Sequence, residues 1–166
     1  MNTGWVVYGI LLAVGAFLVF DLRKGIHPTI IVILAVLAGA GVGLVGIFQG
    51  SNTNVDNGLI ALHTLGAQTV MLAGNVMAIA TGANGARIGL SRRHSTASIA
   101  LGTAGLIAFP LFMADALTGW MWNIGLLERA VIYPIMISHA LLASSIAARR
   151  LPVTPPPTSL PIHATS

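Results

Sequence analysis

Residues 29–48 read TIIVILAVLAGAGVGLVGIF and carry no charged side chain. A helix of about 20 apolar residues is long enough to cross the roughly 30 Å hydrocarbon core of a bilayer. The rest of the chain has the same character, with 55% hydrophobic and 7% charged residues over 166 positions. Its mean hydropathy of +0.87 is far above that of ordinary soluble domains. The sequence therefore predicts an all-α fold, a polytopic membrane helical bundle.

Four further apolar stretches extend this prediction to five transmembrane helices in one membrane domain, residues 1–150. The predicted spans are residues 4–20, 29–48, 58–80, 98–114 and 125–148. No basic residue precedes the first span, whereas Arg23 and Lys24 follow it, so we expect an uncleaved helix rather than a signal peptide. Residues 151–166 are rich in proline and are predicted to form a disordered cytoplasmic tail.

The charged residues predict one orientation, with the N-terminus outside and the C-terminus in the cytoplasm. This places seven of the eight basic residues inside, as the positive-inside rule requires; they are Arg23, Lys24, Arg87, Arg92, Arg93, Arg149 and Arg150. Three of the four acids and all three tryptophans then lie outside, where tryptophan favours the interface. Because the basic residues follow this pattern, we exclude nucleic acid as a partner and expect a multi-pass protein of the cytoplasmic (inner) membrane.

The connections between the predicted spans differ in composition. Residues 49–57, QGSNTNVDN, are predicted to form a polar outer loop, and residues 81–97 a basic, flexible connection on the inner side. We expect a bend in the fourth span at Pro110, which removes one backbone hydrogen bond.

A stripe of small residues marks one face of the second span. Steps of three and four residues place them on the same side of a helix, where another helix can approach closely; they are Ala35, Gly39, Gly43 and Gly46. We expect this stripe to pack within the molecule, with self-association as the alternative.

Polar residues gather at the predicted outer surface and supply the candidate site. The candidate catalytic residues are His63, Asp56, Glu128 and Arg129, with His63 as base or ligand, a carboxylate as acid or orienting group, and Arg129 gripping an anion. The structural alternative is an ion pair in which Arg129 neutralises Asp115 or Glu128 near the interface.

Metal and cofactor chemistry have little support in the sequence. The chain has no cysteine, and too few histidines and carboxylates converge for a metal site. A haem bound by His63 and His139 is disfavoured, because helical rise places them about 8 Å and about 20 Å below the outer surface. We expect no cofactor. His139 is expected to be either a neutral histidine hydrogen-bonded to Gln68 or Asn75, or part of a proton relay.

The stretches FQGSNTNVDNGLIALHTLGA, GNVMAIATG and NIGLLERAVIYPIMI resemble the bacterial and archaeal membrane-protein family called domain of unknown function 998 (DUF998). The likeness covers residues 4–148, and Gln49 and Gly50 stand where the family has proline and an acid. Because relatives often carry one more helix, the chain resembles a member shortened at its N-terminus. By this resemblance the motif positions are Phe48, Asn54, His63, Asn75, Glu128, Arg129, Tyr133 and Pro134.

Three functions are compatible with these observations. The first is a non-enzymatic accessory or structural subunit, or a lipid-binding factor, whose partners are the lipid bilayer and other membrane subunits or a second copy. The second is an enzyme acting on a lipid headgroup at the outer leaflet. The third is a small transporter, although the sequence shows neither internal repeats nor a broken helix pair.

Overall fold

The protein is a helical bundle in the computed structural model, which describes residues 2–21, 25–119 and 123–150. Of Asn2, Arg149 and Arg150 only the backbone is described. The described residues form α-helices and no strand. The helices are α1 (Asn2–Val19), α2 (Ile26–Ile47), α3 (Asn52–Asp56), α4 (Ile60–Ala83), α5 (Arg92–Thr118) and α6 (Ile124–Arg150). The predicted tail, residues 151–166, lies outside the described residues, as do Arg23, Lys24, Trp120 and Trp122.

Four of these helices, α2, α4, α5 and α6, are long and apolar enough to cross a membrane. The prediction of an all-α, multi-pass membrane protein is confirmed at this level. The first predicted span corresponds to α1, whose apolar part, Thr3–Val19, is shorter than the other four. At about 1.5 Å per residue the 18 residues of α1 extend for about 27 Å, slightly less than a typical hydrocarbon core.

Two predicted connections contain helix, because serine side chains cap helices close to the predicted membrane boundary. In the polar loop 49–57, the backbone N–H of Asn54 donates to Ser51 Oγ over 3.3 Å at the start of α3. The N–H of His94 donates in the same way to Ser91 Oγ over 3.3 Å at the start of α5. The prediction of a flexible connection over residues 81–97 was wrong at residues 81–83, which belong to α4, and from Arg92 onward, which belongs to α5. The apolar stretch set the start of the predicted fourth span, whereas the N-cap determines where the helix begins.

The helices pack mostly against their neighbours in the chain. Helix α2 lies between α1 and α4, and α5 packs against both α4 and α6. Helix α4 also contacts α6, so it has three helical neighbours and forms the centre of the bundle. The first and last helices, α1 and α6, flank a groove.

Glycines bring the backbones of α1, α2 and α4 together. A Cβ atom on Gly39 would lie 2.5 Å from the carbonyl oxygen of Gly9, so α1 and α2 touch at their backbones. A Cβ atom on Gly41 would lie 2.7 Å from the carbonyl oxygen of Gly66, which gives α2 and α4 the same close contact. A Cβ atom on Gly43 would meet nothing within 4 Å. The predicted stripe thus contains one residue with open space beside it, while Ala35, Gly39 and Gly46 are buried.

Asn75 of α4 contacts both α5 and α6 at the centre of the bundle. Its side chain is fully buried, and Nδ2 donates to the carbonyl of Met71 over 2.7 Å and to that of Val131 in α6 over 3.2 Å. A Cβ atom on Gly105 of α5 would collide with the Asn75 amide. Asn75 therefore links α4 to the backbone of α6 through a buried side-chain hydrogen bond.

Candidate functional site

A cavity of about 150 Å³ lies at the Trp5 end of the bundle, where α1, α4 and α6 begin and α2 ends. Four of its lining residues are polar or aromatic: Trp5, Tyr8, His63 and Glu128. The remaining lining is apolar and comes from α2, α4 and α6, with Val42, Met71 and Ile135 among its residues. We call this space the Trp5-end cavity.

The imidazole of His63 is held in one tautomer beside this cavity. Its Nδ1 lies 2.7 Å from the carbonyl oxygen of Phe48. Because a carbonyl oxygen only accepts hydrogen bonds, Nδ1 carries the proton in this contact and Nε2 of the neutral ring is an acceptor. A backbone carbonyl that fixes the ring in this way is a usual means of orienting a histidine that binds a ligand or accepts a proton. The half-buried ring therefore offers a lone pair in a defined place.

The structure brings together two of the four candidate catalytic residues. His63 and Glu128 line the Trp5-end cavity. Asp56 and Arg129 are both exposed, and neither belongs to the described residues around this space. A site in which Arg129 grips an anion beside His63 therefore has no support from the cavity lining.

The residues of the predicted ion pair differ in burial. Asp115, near the end of α5, is 5% exposed, whereas Glu128 and Arg129 near the start of α6 are exposed. Helix α5 ends at Gly119, whose positive φ of 67° lets its N–H reach the carbonyl of Asp115. The ion pair of Arg129 with Asp115 or Glu128 stays a prediction.

His139 contacts α1 rather than the residues expected from sequence. Its Nδ1 lies 2.7 Å from the hydroxyl oxygen of Tyr8, while Gln68 Nε2 is 3.9 Å from the sulfur of Met113. The side chain of Asn75 donates instead to the carbonyls of Met71 and Val131. The buried Nε2 of His139 has no hydrogen-bond partner among the described residues. Sequence reasoning missed Tyr8, since neither residue type nor spacing indicates which neighbour a phenol in the first helix will meet.

The groove between α1 and α6 has a volume of about 500 Å³ and begins beside this hydrogen bond. Its lining comes from α1 and the adjoining Phe20, from α6, and from Met77 of α4. Apart from Tyr8 and His139, the lining side chains are apolar. The groove thus resembles a hydrocarbon-binding surface, with one polar contact near one end.

A second cavity, of about 570 Å³, adjoins the groove and lies toward the opposite end of the bundle, which we call the Arg87 end. The two spaces share four lining residues: Val19, Phe20, Leu142 and Ile146. The second cavity is also lined by polar residues, Asp21, His27, Asn84 and Arg87. Arg87 Nη1 donates to Asn84 Oδ1 over 3.2 Å. An apolar groove and a polar cavity with a guanidinium group therefore adjoin each other along shared walls.

In the part of the chain that the structure describes, no three His, Cys, Asp or Glu residues lie close enough together to bind a metal ion. His63 and Glu128 of the Trp5-end cavity are two such residues, fewer than the three protein ligands of a catalytic zinc site. The chain matches no family model, no curated protein and no solved structure. The resemblance to DUF998 accordingly stays a prediction.

Proposed function

We propose that this protein is a non-enzymatic lipid-binding factor that holds an acyl chain in the groove between α1 and α6. The observation that carries this proposal is that the apolar groove and the polar cavity at the Arg87 end lie side by side and share four wall residues. A lipid has the same division, with a long apolar chain joined to a polar headgroup. The groove volume of about 500 Å³ lies within the range of roughly 300–1,000 Å³ usual for sites that bury a small molecule.

Selectivity in such a site depends on its polar mouth. Inside a bilayer, moving a chain from lipid neighbours to the groove yields little hydrophobic free energy, because lipid tails are as apolar as leucine. The polar contacts must therefore distinguish a bound lipid from bulk lipid. Arg87, His27 and Asn84 provide hydrogen-bond donors at the mouth, and Asp21 adds a carboxylate.

We further propose five transmembrane spans, with α1 as the first, the N-terminus outside and the C-terminus in the cytoplasm. The close backbone contact of Gly9 with Gly39 supports a first span packed along α2. The exposed apolar side chains of α1, among them Leu11 at 63% and Leu18 at 78% exposure, suit contact with lipid. Arg87, Arg92 and Arg93 lie at the Arg87 end, the end assigned to the cytoplasm by the positive-inside rule.

Two other functions remain as competitors. An accessory subunit would use the same groove for a helix of another membrane protein. An enzyme acting on a lipid headgroup at the outer leaflet is favoured by one specific observation, the placement of His63 and Glu128 around one cavity. The lining described for this cavity does not include Asp56 and Arg129, which leaves that enzyme without the remaining predicted residues.

A pair of tryptophan substitutions in α6 tests the lipid site. Ala143 lines the groove, whereas Ala140, one turn earlier and also exposed, lies outside its lining. Ala143→Trp fills the groove and is expected to weaken lipid retention about tenfold, since overpacking of this kind typically costs about 1–3 kcal/mol. Ala140→Trp is expected to retain the lipid of the original protein. Native mass spectrometry of gently extracted protein measures the bound lipid in both variants.

Equal retention by the two variants would reject the groove as the lipid site. Loss of a bound protein subunit from Ala143→Trp, without loss of lipid, would favour the accessory subunit instead. Removal of a lipid-modifying activity by His63→Gln, with bound lipid unchanged, would favour the enzyme.

A further inference from the structure

We propose that the Trp5-end cavity binds an organic ammonium group, a ligand class separate from the acyl chain assigned to the groove. The inference rests on the chemistry of four side chains around one space of about 150 Å³: Trp5, Tyr8, His63 and Glu128. It goes beyond the proposed function and stands without it, because the two spaces bind different chemical groups.

The charge of the cavity favours a cation. Glu128 contributes a carboxylate, and none of the described lining residues is a lysine or arginine. His63 adds an acceptor, since its Nδ1–H is already donated to the Phe48 carbonyl. An ammonium group presents donors only, which match a carboxylate and an imidazole lone pair.

The aromatic residues favour an organic cation. The rings of Trp5 and Tyr8 are arranged edge to face, with centroids 6.5 Å apart and an interplanar angle of 75°. Aromatic faces attract ammonium groups through their quadrupoles, and tryptophan is the strongest of these partners. The apolar remainder of the cavity, from residues such as Val42 and Ile135, accommodates the carbon atoms attached to the nitrogen.

Other ligands fit these residues less well. An anion would meet the Glu128 carboxylate without a basic side chain in the described lining, since Arg129 lies outside it. A metal ion would have His63 and Glu128 as ligands, but the described residues supply no third ligand of an ordinary site. A simple hydrocarbon would leave the half-buried imidazole acceptor of His63 without a polar partner, which is costly where water is excluded.

The ammonium group can come from a free amine or from the headgroup of an amine-bearing lipid. Both sources present the same chemistry to Glu128 and to the rings. The first arm of the test uses ethylammonium chloride, titrated calorimetrically into the full chain in detergent at constant ionic strength. The second arm compares, by native mass spectrometry, the retention of phosphatidylethanolamine and phosphatidylglycerol from nanodiscs that contain equal amounts of both.

Two acids at the same end of the bundle provide the matched variants. Glu128→Gln keeps the shape of the side chain and removes its charge, and it is expected to weaken ethylammonium binding about tenfold, the usual scale of a charge-assisted hydrogen bond. Asp56→Asn removes an exposed charge outside the cavity lining and is expected to change the affinity less than about twofold. Trp5→Leu removes the aromatic face and is expected to weaken binding independently of the carboxylate. Unchanged gel-filtration elution verifies the fold of each variant.

The outcomes separate the two sources and the competing ligands. Ethylammonium binding that depends on Glu128, without preference between the lipids, supports a free amine. A preference for phosphatidylethanolamine that Glu128→Gln removes supports the lipid headgroup. The inference is overturned by equal effects of Glu128→Gln and Asp56→Asn, or by absence of both ethylammonium binding and lipid preference. A parallel titration with zinc chloride overturns it if the zinc ion binds and ethylammonium does not. None of these results depends on the lipid retention measured with Ala143→Trp.

Discussion

Tyr8 occupies a position at which a single hydroxyl joins two helices and borders two cavities. It lines both the groove and the Trp5-end cavity, and its hydroxyl lies 2.7 Å from His139 Nδ1. Tyr8→Phe leaves the buried imidazole without this contact, and we expect the free energy of unfolding to fall by about 1–2 kcal/mol. The other tyrosine, Tyr133, is 53% exposed, so Tyr133→Phe serves as the control and is expected to be neutral. Unfolding in detergent with increasing dodecyl sulfate measures both changes, and equal effects would contradict a special role for Tyr8.

Individual residues differed in how far sequence could predict their contacts. His63 and Glu128 were predicted to lie at one end of the bundle. Each lies near the start of its predicted span, and both spans were predicted to start on the same side of the membrane. Their placement around one cavity agrees with that reasoning. The exclusion of Arg129 was not predictable, since adjacent residues on a helix point about 100° apart and the rotation of α6 is set by its neighbours. The Tyr8–His139 contact was missed for a related reason, because pairing of the first helix with the last is a property of the packed bundle.

At the scale of the helix, two glycines of the α2 stripe differ. Gly39 packs against the backbone of α1, whereas a side chain on Gly43 would have open space beside it. Gly39→Ala would place a methyl group 2.5 Å from a backbone oxygen of Gly9, and backbone cannot move aside as a flexible side chain does. We expect this substitution to reduce the free energy of unfolding by about 1–3 kcal/mol. Gly43→Ala, one turn later on the same helix, enters open space and is expected to be neutral or to stabilise by up to about 1 kcal/mol through helix propensity. Thermal unfolding in one detergent compares the pair, and equal destabilisation would show that the whole stripe is a tight interface.

The positions of the helices were more predictable than their ends and contacts. Apolar length located the four long helices correctly, because a long apolar segment that must satisfy its own backbone hydrogen bonds in lipid forms a helix. Helix α5 begins six residues before its predicted span, at Arg92 rather than residue 98, because Ser91 caps the helix N-terminus outside the apolar stretch. The contact of Gly41 with Gly66 was missed for another reason. Both glycines are visible in the sequence, but which face of α2 meets α4 depends on the complete packing arrangement.

For the molecule as a whole, the two ends of the bundle differ in electrostatic character. The cavity at the Trp5 end contains a carboxylate and aromatic rings, whereas the cavity at the Arg87 end includes a guanidinium group along with Asp21 and His27. The apolar groove lies between them and meets the first cavity at Tyr8. A substitution at Tyr8 therefore alters the walls of both the groove and the Trp5-end cavity, which the Ala143 and Glu128 variants alter separately.

The proposed orientation and the five-span count depend on which ends of the helices face the outside. The chain contains no cysteine, so single-cysteine variants need no background removal. Thr3, Thr53 and Ala86 are exposed positions in α1, α3 and the connection from α4 to α5. With an impermeant maleimide on intact cells, we expect Thr53→Cys to react and Ala86→Cys to react only after permeabilisation, because the arginines near Ala86 favour the cytoplasm. Thr3→Cys decides the count: it reacts from outside if α1 crosses the membrane, and it behaves like Ala86→Cys if α1 stays on the inner side. Labelling of Ala86→Cys alone in intact cells would reverse the orientation, and with it the leaflet assigned to each cavity.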